Sequence, residues 1–91
     1  MTNSIVIYSK DYCPYCKMAK ALLNQKGVAF TEYEVSDDPK LFAEMIEKSG
    51  GGRTVPQIFI GNVHVGGGTD LVELNRAGGL DPLLKPFLAK A

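Results

Sequence analysis

The sequence predicts an α/β domain, and three observations carry that prediction. A β-branched run leads into a helix-like stretch and a second strand; two later strand-like runs are separated by a glycine-led pair; amphipathic segments close the chain. The first pattern implies a right-handed parallel crossover and the second an antiparallel hairpin, so both kinds of strand pairing are expected.

The elements follow in order. "SIVIYS" (Ser4 to Ser9) is a short β-branched run ended by charge, which reads as a buried strand. In "CPYCKMAKALLNQKG", Met18, Leu22 and Leu23 recur at helical spacing between Pro14 and Gly27. Proline suits a first helical position and glycine the residue just past an end, which predicts a helix from Pro14 to about Lys26 with Cys13 as its N-cap. "AFTEYEV" alternates Phe30, Glu32 and Glu34 against Thr31, Tyr33 and Val35, the pattern of a second strand. "SDDP" (Ser36 to Pro39) carries helix-start chemistry, and Phe42, Met45 and Ile46 mark the apolar face of a second helix. After Gly50–Gly52, "VPQIFI" and "VHVGG" read as strands joined by Gly61-Asn62, a pair that suits a type II′ hairpin. "TDLVELNRAG" has an N-cap candidate at Thr69 and a stop at Gly78. A last helix should start at Asp81-Pro82, with Pro86 shortening or kinking it.

Composition excludes several classes of function. The chain has 91 residues, 45% of them hydrophobic and 22% charged, an ordinary balance for a single globular domain spanning 1–91. Ten basic residues meet ten acidic ones, so no charge excess points to nucleic acid or an anionic membrane as partner. A secretory signal needs an apolar core of roughly 7 to 15 residues, whereas the opening offers only Ile5, Val6, Ile7 and Tyr8. No apolar run approaches the roughly 18 residues that span a bilayer. The expected location is the cytoplasm, where thiols are kept reduced and a permanent disulfide is unusual.

Cys13 and Cys16, the two cysteines of the chain, therefore pose a question. As a structural staple they would close a very short loop, and the stabilisation shrinks with the loop. As a zinc site they fall short of four N or S ligands, since the one histidine, His64, lies far along the chain between Val63 and Val65 and reads as a surface strand residue. A redox pair has a direct physical rationale. A thiol at a helix N-terminus faces unpaired N–H groups and the positive end of the helix dipole, both of which favour the thiolate. That makes Cys13 the expected nucleophile. Lys10 and Lys17 either add positive potential or are solvated charges. Cys16, one turn further into the helix, has poorer donors and is the expected resolving thiol.

Two further stretches extend the site. In "GRTVPQIFIG", proline cannot donate to a strand ladder. A bend there, with a cis Val55–Pro56 bond, would leave the N–H and C=O of Val55 open to an extended peptide; a trans proline that simply opens a strand is the alternative. In "VGGGTDL", glycines permit close backbone approach and the following helix start can bind a carboxylate. Asp70 there either caps the helix or accepts a ligand ammonium. A tripeptide with a thiol, two carboxylates and an amine, as glutathione is, would match a thiolate, a cationic side chain, an open backbone edge and this helix start.

The stretches "IYSKDYCPYCKMAKALL", "TVPQIFIG", "VHVGGGTDL" and "GGLDPLL", together covering nearly all of the chain, resemble the glutaredoxins, in particular the short bacterial dithiol members with a CPYC centre. The resemblance implies a thioredoxin-like fold with a four-stranded mixed β-sheet flanked by helices, and a cis Pro56. It implies that Cys13 takes the glutathionyl group from a substrate and a second glutathione removes it, while Cys16 adds a two-thiol route to protein disulfides. The implied glutathione groove comprises Lys10, Tyr15, Arg53, Thr54, Val55, Pro56, Gly67, Gly68, Thr69 and Asp70. Lys10 and Arg53 would face the glycine carboxylate, Val55 the cysteinyl backbone, and Asp70 the γ-glutamyl amine. The implied partners are glutathione, as reducing co-substrate with no bound cofactor and no metal, and glutathionylated or disulfide-containing proteins of the kind the family reduces, ribonucleotide reductase and peroxiredoxins included. The protein would act as a monomer.

Two departures stand out: Gly68 replaces the cysteine or other side chain frequent at that place, and Gly50–Gly52 is one residue longer than the usual link before Arg53. Three other functions compete. A thioredoxin reduced by a flavoprotein resembles a WCGPC pattern, but this chain has no tryptophan and has Tyr12 before Cys13. An iron–sulfur scaffold resembles the monothiol CGFS relatives, whereas Pro14, Tyr15 and Cys16 favour a closed dithiol turn. A binding module using the Val55 edge alone leaves the two thiols unexplained.

Overall fold

The computed structural model describes residues 4–11, 13–61 and 63–88. Along them run β1 (Ile5–Ser9), α1 (Pro14–Gln25), β2 (Thr31–Glu34), α2 (Pro39–Lys48), β3 (Gln57–Ile60), β4 (Val63–Gly66), α3 (Gly68–Arg76) and α4 (Leu80–Leu88). The strands form one sheet in the order β2-β1-β3-β4. β1 is parallel to β2, and β3 is antiparallel to both β1 and β4. This is the mixed, helix-flanked sheet of a thioredoxin-like fold.

Local chemistry sets the helix starts. Cys13 keeps an extended backbone (φ −102°, ψ 105°) and caps α1, with Pro14 opening the helix. Cys16, Ala19 and Leu23 are its buried face, at spacings of three and four. Gly27 then takes a left-handed φ of +79° and turns the chain toward β2. Asp38 caps α2 by accepting the Leu41 N–H at 3.1 Å, again ahead of a proline.

Alternation along β1 divides the core between the two sheet faces. Ile5 and Ile7 join Ile58 and Ile60 of β3 beneath Ala19, Leu23, Leu71, Leu80 and Leu84, so α1, α3 and α4 share one face. Tyr8 points the other way and packs with Val35 and Met45, flanked by Val6, Phe42, Ile46 and Phe59, where α2 docks. The edge strand β2 is exposed along its whole length.

The expected boundaries shift in four places. β2 is shorter than "AFTEYEV", spanning Thr31–Glu34. β3 begins at Gln57, after Pro56, which lacks the N–H a ladder needs. The cap of α3 is Gly67, not Thr69, because the Asp70 carboxylate reaches back to accept the Gly67 N–H at 2.9 Å and draws the helix start toward the glycines. α4 starts at Leu80 and continues through Pro86 rather than stopping there. Gly61 has φ +60°, but the hairpin type also involves Asn62, outside the described residues.

Candidate functional site

The parallel β1–β2 pair puts the C-terminal ends of both strands on the same side of the molecule, Ser9 beside Glu34. The segments that leave them, Lys10–Asp11 and Val35–Asp38, are thereby brought together, and the Asp11 N–H donates to Ser36 Oγ at 3.1 Å. Cys13 follows at the start of α1. Its Sγ accepts the Cys16 N–H at 3.1 Å, one of the donors a helix N-terminus leaves free. The Cys13 thiol also lies 3.7 Å from the Val55 carbonyl, to which it donates.

The two thiols differ sharply in surroundings. Cys13 is partly exposed and Cys16 is 1% exposed. Burial, followed by the hydrogen bond with Cys13, pushes the Cys16 thiol up to about 12. Cys13 is thus the more accessible sulfur, placed at a helix N-terminus, and Cys16 the buried thiol behind it. Neither is in a disulfide.

A cleft of about 540 Å³ opens beside Cys13, lined by Lys10, Asp11, Cys13, Pro14, Ser36, Asp37 and Val55. Lys10 Nζ stands 5.4 Å from the Phe42 ring centroid, a cation–π distance that leans its charge toward α2. The Val55–Pro56 bond is cis. Pro56 is buried, Val55 half-buried, and Arg53 and Thr54 exposed. Lys17 is exposed on α1, as a solvated charge would be.

The start of α3 closes the other flank. A Cβ on Gly67 would come 3.5 Å from the Pro56 carbonyl, and one on Gly68 would meet the Tyr15 carbonyl at 3.0 Å and Met18 Cε at 3.2 Å. The absent side chain at Gly68 is therefore what lets α3 sit directly against the first turn of α1. Thr69 and Asp70 are exposed, and Tyr15 is 57% exposed.

Cys13 is thus joined to Val55 by its hydrogen bond and to Lys10 by the cleft they share. Tyr15 and Pro56 are joined to Gly68 and Gly67 by close approach. Asp70 is engaged in capping through its contact with Gly67. Arg53, Thr54 and Gly67 to Asp70 do not line the Cys13 cleft. Three of its walls, Asp11, Ser36 and Asp37, were not expected from sequence; the signal was the parallel crossover, which fixes which loops meet. Gln57, outside the cleft lining, makes a contact that was also not anticipated. It is 5% exposed and donates from Nε2 to the Thr54 carbonyl at 3.0 Å and to Thr54 Oγ1 at 3.4 Å. Among the described residues no group of three or more His, Cys, Asp and Glu is arranged to hold a metal ion.

Comparison with known proteins points in one direction. Residues 5–65 match the family model for glutaredoxin. The chain is 52% identical over 82 residues to glutaredoxin 3 of Escherichia coli (strain K12), covering 90% of this chain and 98% of that protein. It is 52% identical over 85 residues to a glutaredoxin of Neisseria meningitidis serogroup A, covering 92% and 99%. Its structure is similar to a crystal structure of a buckwheat glutaredoxin–glutathione complex, with a TM-score of 0.84 at 35% identity over 96% of this chain and 83% of that one. The solution structure of a glutaredoxin from Brucella melitensis is similar with a TM-score of 0.79 at 53% identity, covering 93% and 91%.

Proposed function

The chain belongs to the glutaredoxin family and is a thiol–disulfide oxidoreductase, and from that premise we propose that glutathione is its reductant along two routes. In the first, the Cys13 thiolate attacks the glutathionyl sulfur of a protein–glutathione mixed disulfide. The substrate S–S bond breaks, its electron pair leaves with the protein thiolate, and a Cys13–glutathione disulfide forms. A second glutathione thiolate then attacks the glutathionyl sulfur, releasing oxidised glutathione and the Cys13 thiolate.

In the second route the Cys13 thiolate attacks one sulfur of a protein disulfide, the other sulfur leaves as a thiolate, and a Cys13–protein mixed disulfide forms. Cys16, its proton passed to water, attacks Cys13 Sγ, the second protein thiolate leaves, and two glutathiones reduce the resulting Cys13–Cys16 disulfide and depart as oxidised glutathione. The observation that carries both routes is the asymmetry of the pair, with a partly exposed Cys13 whose sulfur accepts the Cys16 N–H and a buried Cys16 thiol behind it.

The substrate reading draws on the surroundings of Cys13. Glutathione would lie along Val55, pairing with its backbone. Lys10 and Arg53 would face the glycine carboxylate, and Tyr15, Thr54 and Pro56 would flank the tripeptide. Gly67, Gly68 and Thr69 would offer main chain to the γ-glutamyl end, with Asp70 taking its amine. The solved relative that holds glutathione supports this placement. We assign residues 1–91 to a single glutaredoxin domain, acting as a monomer on glutathionylated and disulfide-bonded proteins in a reducing cytoplasm. Among the described residues no helix is long and apolar enough to cross a membrane.

The deciding assay is reduction of a small glutathione mixed disulfide coupled to glutathione reductase and NADPH, with reduction of a protein disulfide alongside. Cys13→Ser should abolish both activities. Cys16→Ser should keep the first and lose the second. Activity of Cys13→Ser on the mixed disulfide would show that the nucleophile is misassigned, and an inactive wild type would redirect attention to a different electron donor.

A further inference from the structure

Gln57 and His64 lie outside the chemistry described so far, yet they connect the far edge of the sheet to the segment beside Cys13. Gln57 Nε2 faces the Thr54 carbonyl at 3.0 Å and Thr54 Oγ1 at 3.4 Å. A carbonyl can only accept, so the amide nitrogen must point there and the amide oxygen must point away. That oxygen meets His64 Nε2 at 2.7 Å, which obliges the imidazole to donate from Nε2. The direction of every hydrogen bond from His64 through Gln57 to Thr54 is thereby fixed.

The surroundings hold this chain of bonds in place. The register of β3 and β4 shifts between Ile58 and Phe59 and sets His64 opposite Phe59, on whose ring it stacks at 4.7 Å between centroids. On the other side, a Cβ on Gly52 would fall 2.8 Å from Gln57 Nε2 and 2.7 Å from Ser49 Oγ. Ser49 Oγ accepts the Gly52 N–H at 2.8 Å. The last residue of the Gly50–Gly52 run is thus the point where the backbone passes over the buried amide, and a side chain there would displace it. Thr54 is exposed and outside the strand ladder, so the amide beneath it supplies a constraint that the sheet does not.

We propose that Gln57 and His64 are positioning residues, His64 fixing the orientation of the Gln57 amide and Gln57 fixing the Thr54–Val55 edge along which the substrate lies. The proposal rests on the glutathione reading of that edge. Substrate meets a fixed backbone in the ground state and the transition state alike, so loosening the edge raises KM and leaves kcat alone.

The test separates donation from packing at His64. His64→Phe keeps a ring on Phe59 and removes the donor; His64→Gln keeps a donor and removes the ring. With a glutathione mixed disulfide as substrate, His64→Phe should raise KM by about threefold to tenfold, the scale of one lost hydrogen bond, with kcat within about twofold. His64→Gln should stay near wild type. Gln57→Leu should match or exceed His64→Phe; should that buried variant not fold, the His64 pair decides. Equal KM in His64→Phe and wild type would overturn the proposal, as would impairment of His64→Gln to the same extent. Failure of the glutathione reading shows itself separately, as a wild type that reduces a cysteinyl mixed disulfide as readily as a glutathionyl one. In that event ¹⁵N order parameters of Thr54 and Val55 decide: lower values in His64→Phe but not in His64→Gln uphold the positioning role, and unchanged values in His64→Phe refute it.

Discussion

Cys13 and Cys16 are three positions apart and chemically identical until the helix begins between them. Capping gives Cys13 a backbone donor and partial exposure, and one helical turn buries Cys16. The protonated state of Cys16 has a kinetic consequence. Resolution needs its thiolate, and once Cys13 is tied up in a mixed disulfide the raising influence of Cys13 is gone while burial, the larger cause, remains. Burial still holds the Cys16 thiol above its ordinary range, and well below its pKa the thiolate fraction of any thiol grows about tenfold per pH unit. The rate of the intramolecular step, followed by stopped flow from a preformed Cys13 mixed disulfide, should therefore climb by nearly that factor per unit between about pH 6 and 8. A flat profile would mean that Cys16 is already ionised or that another group takes its proton. Both cysteines were legible at this scale because capping is a local event, written in the Pro14 that follows Cys13.

At the scale of elements, the start of α3 is one of the places where the expected boundary moves, and a glycine is required beside it. Thr69 has the better capping side chain, but the Asp70 carboxylate closing on the Gly67 N–H moves the helix boundary by two residues. Gly66 makes that possible. Its φ is +114°, and a Cβ there would run into the Asp70 carboxylate. Gly66→Ala should accordingly cost about 2–4 kcal/mol, from a backbone region closed to alanine and a displaced cap together. A urea midpoint within error of wild type would show that this turn relaxes freely. The strands and the parallel and antiparallel pairings were readable from alternation and from Gly61, since those signals are local too. Asp11, Ser36, Asp37 and the Gln57–His64 link were not, because strand register decides which loops and side chains meet.

Over the whole molecule the two sheet faces are held differently. One carries α1, α3 and α4 over an aliphatic cluster; the other carries α2 alone, over a smaller cluster centred on Tyr8. Tyr8 is fully buried, and its hydroxyl donates to Glu44 Oε2 of α2 at 2.5 Å. Burial, then Glu44, holds the phenol well above its usual range, while the bond from Tyr8 is the main cause holding the Glu44 carboxyl below its own. α2 is thus fastened to the sheet by a charge-assisted bond, and the Ser36–Asp37 wall of the Cys13 cleft leads directly into that helix. Tyr8→Phe keeps the ring contacts with Tyr33 and Phe59 and deletes only the donor. With the Glu44 side chain 40% exposed, water screens the pair, and the loss at pH 7 should be about 1 kcal/mol. A depressed carboxyl stabilises above its unfolded value of 4.5 and ceases to as pH falls through the lower folded value. The gap between wild type and Tyr8→Phe, measured by denaturant unfolding, should therefore be full at pH 7, begin to shrink below about pH 4.5, and be largely closed once Glu44 is protonated in the folded state. A gap of the same size at both ends of that range would place the effect of Tyr8 in packing alone, and α2 would owe its seat to Met45 and Val35.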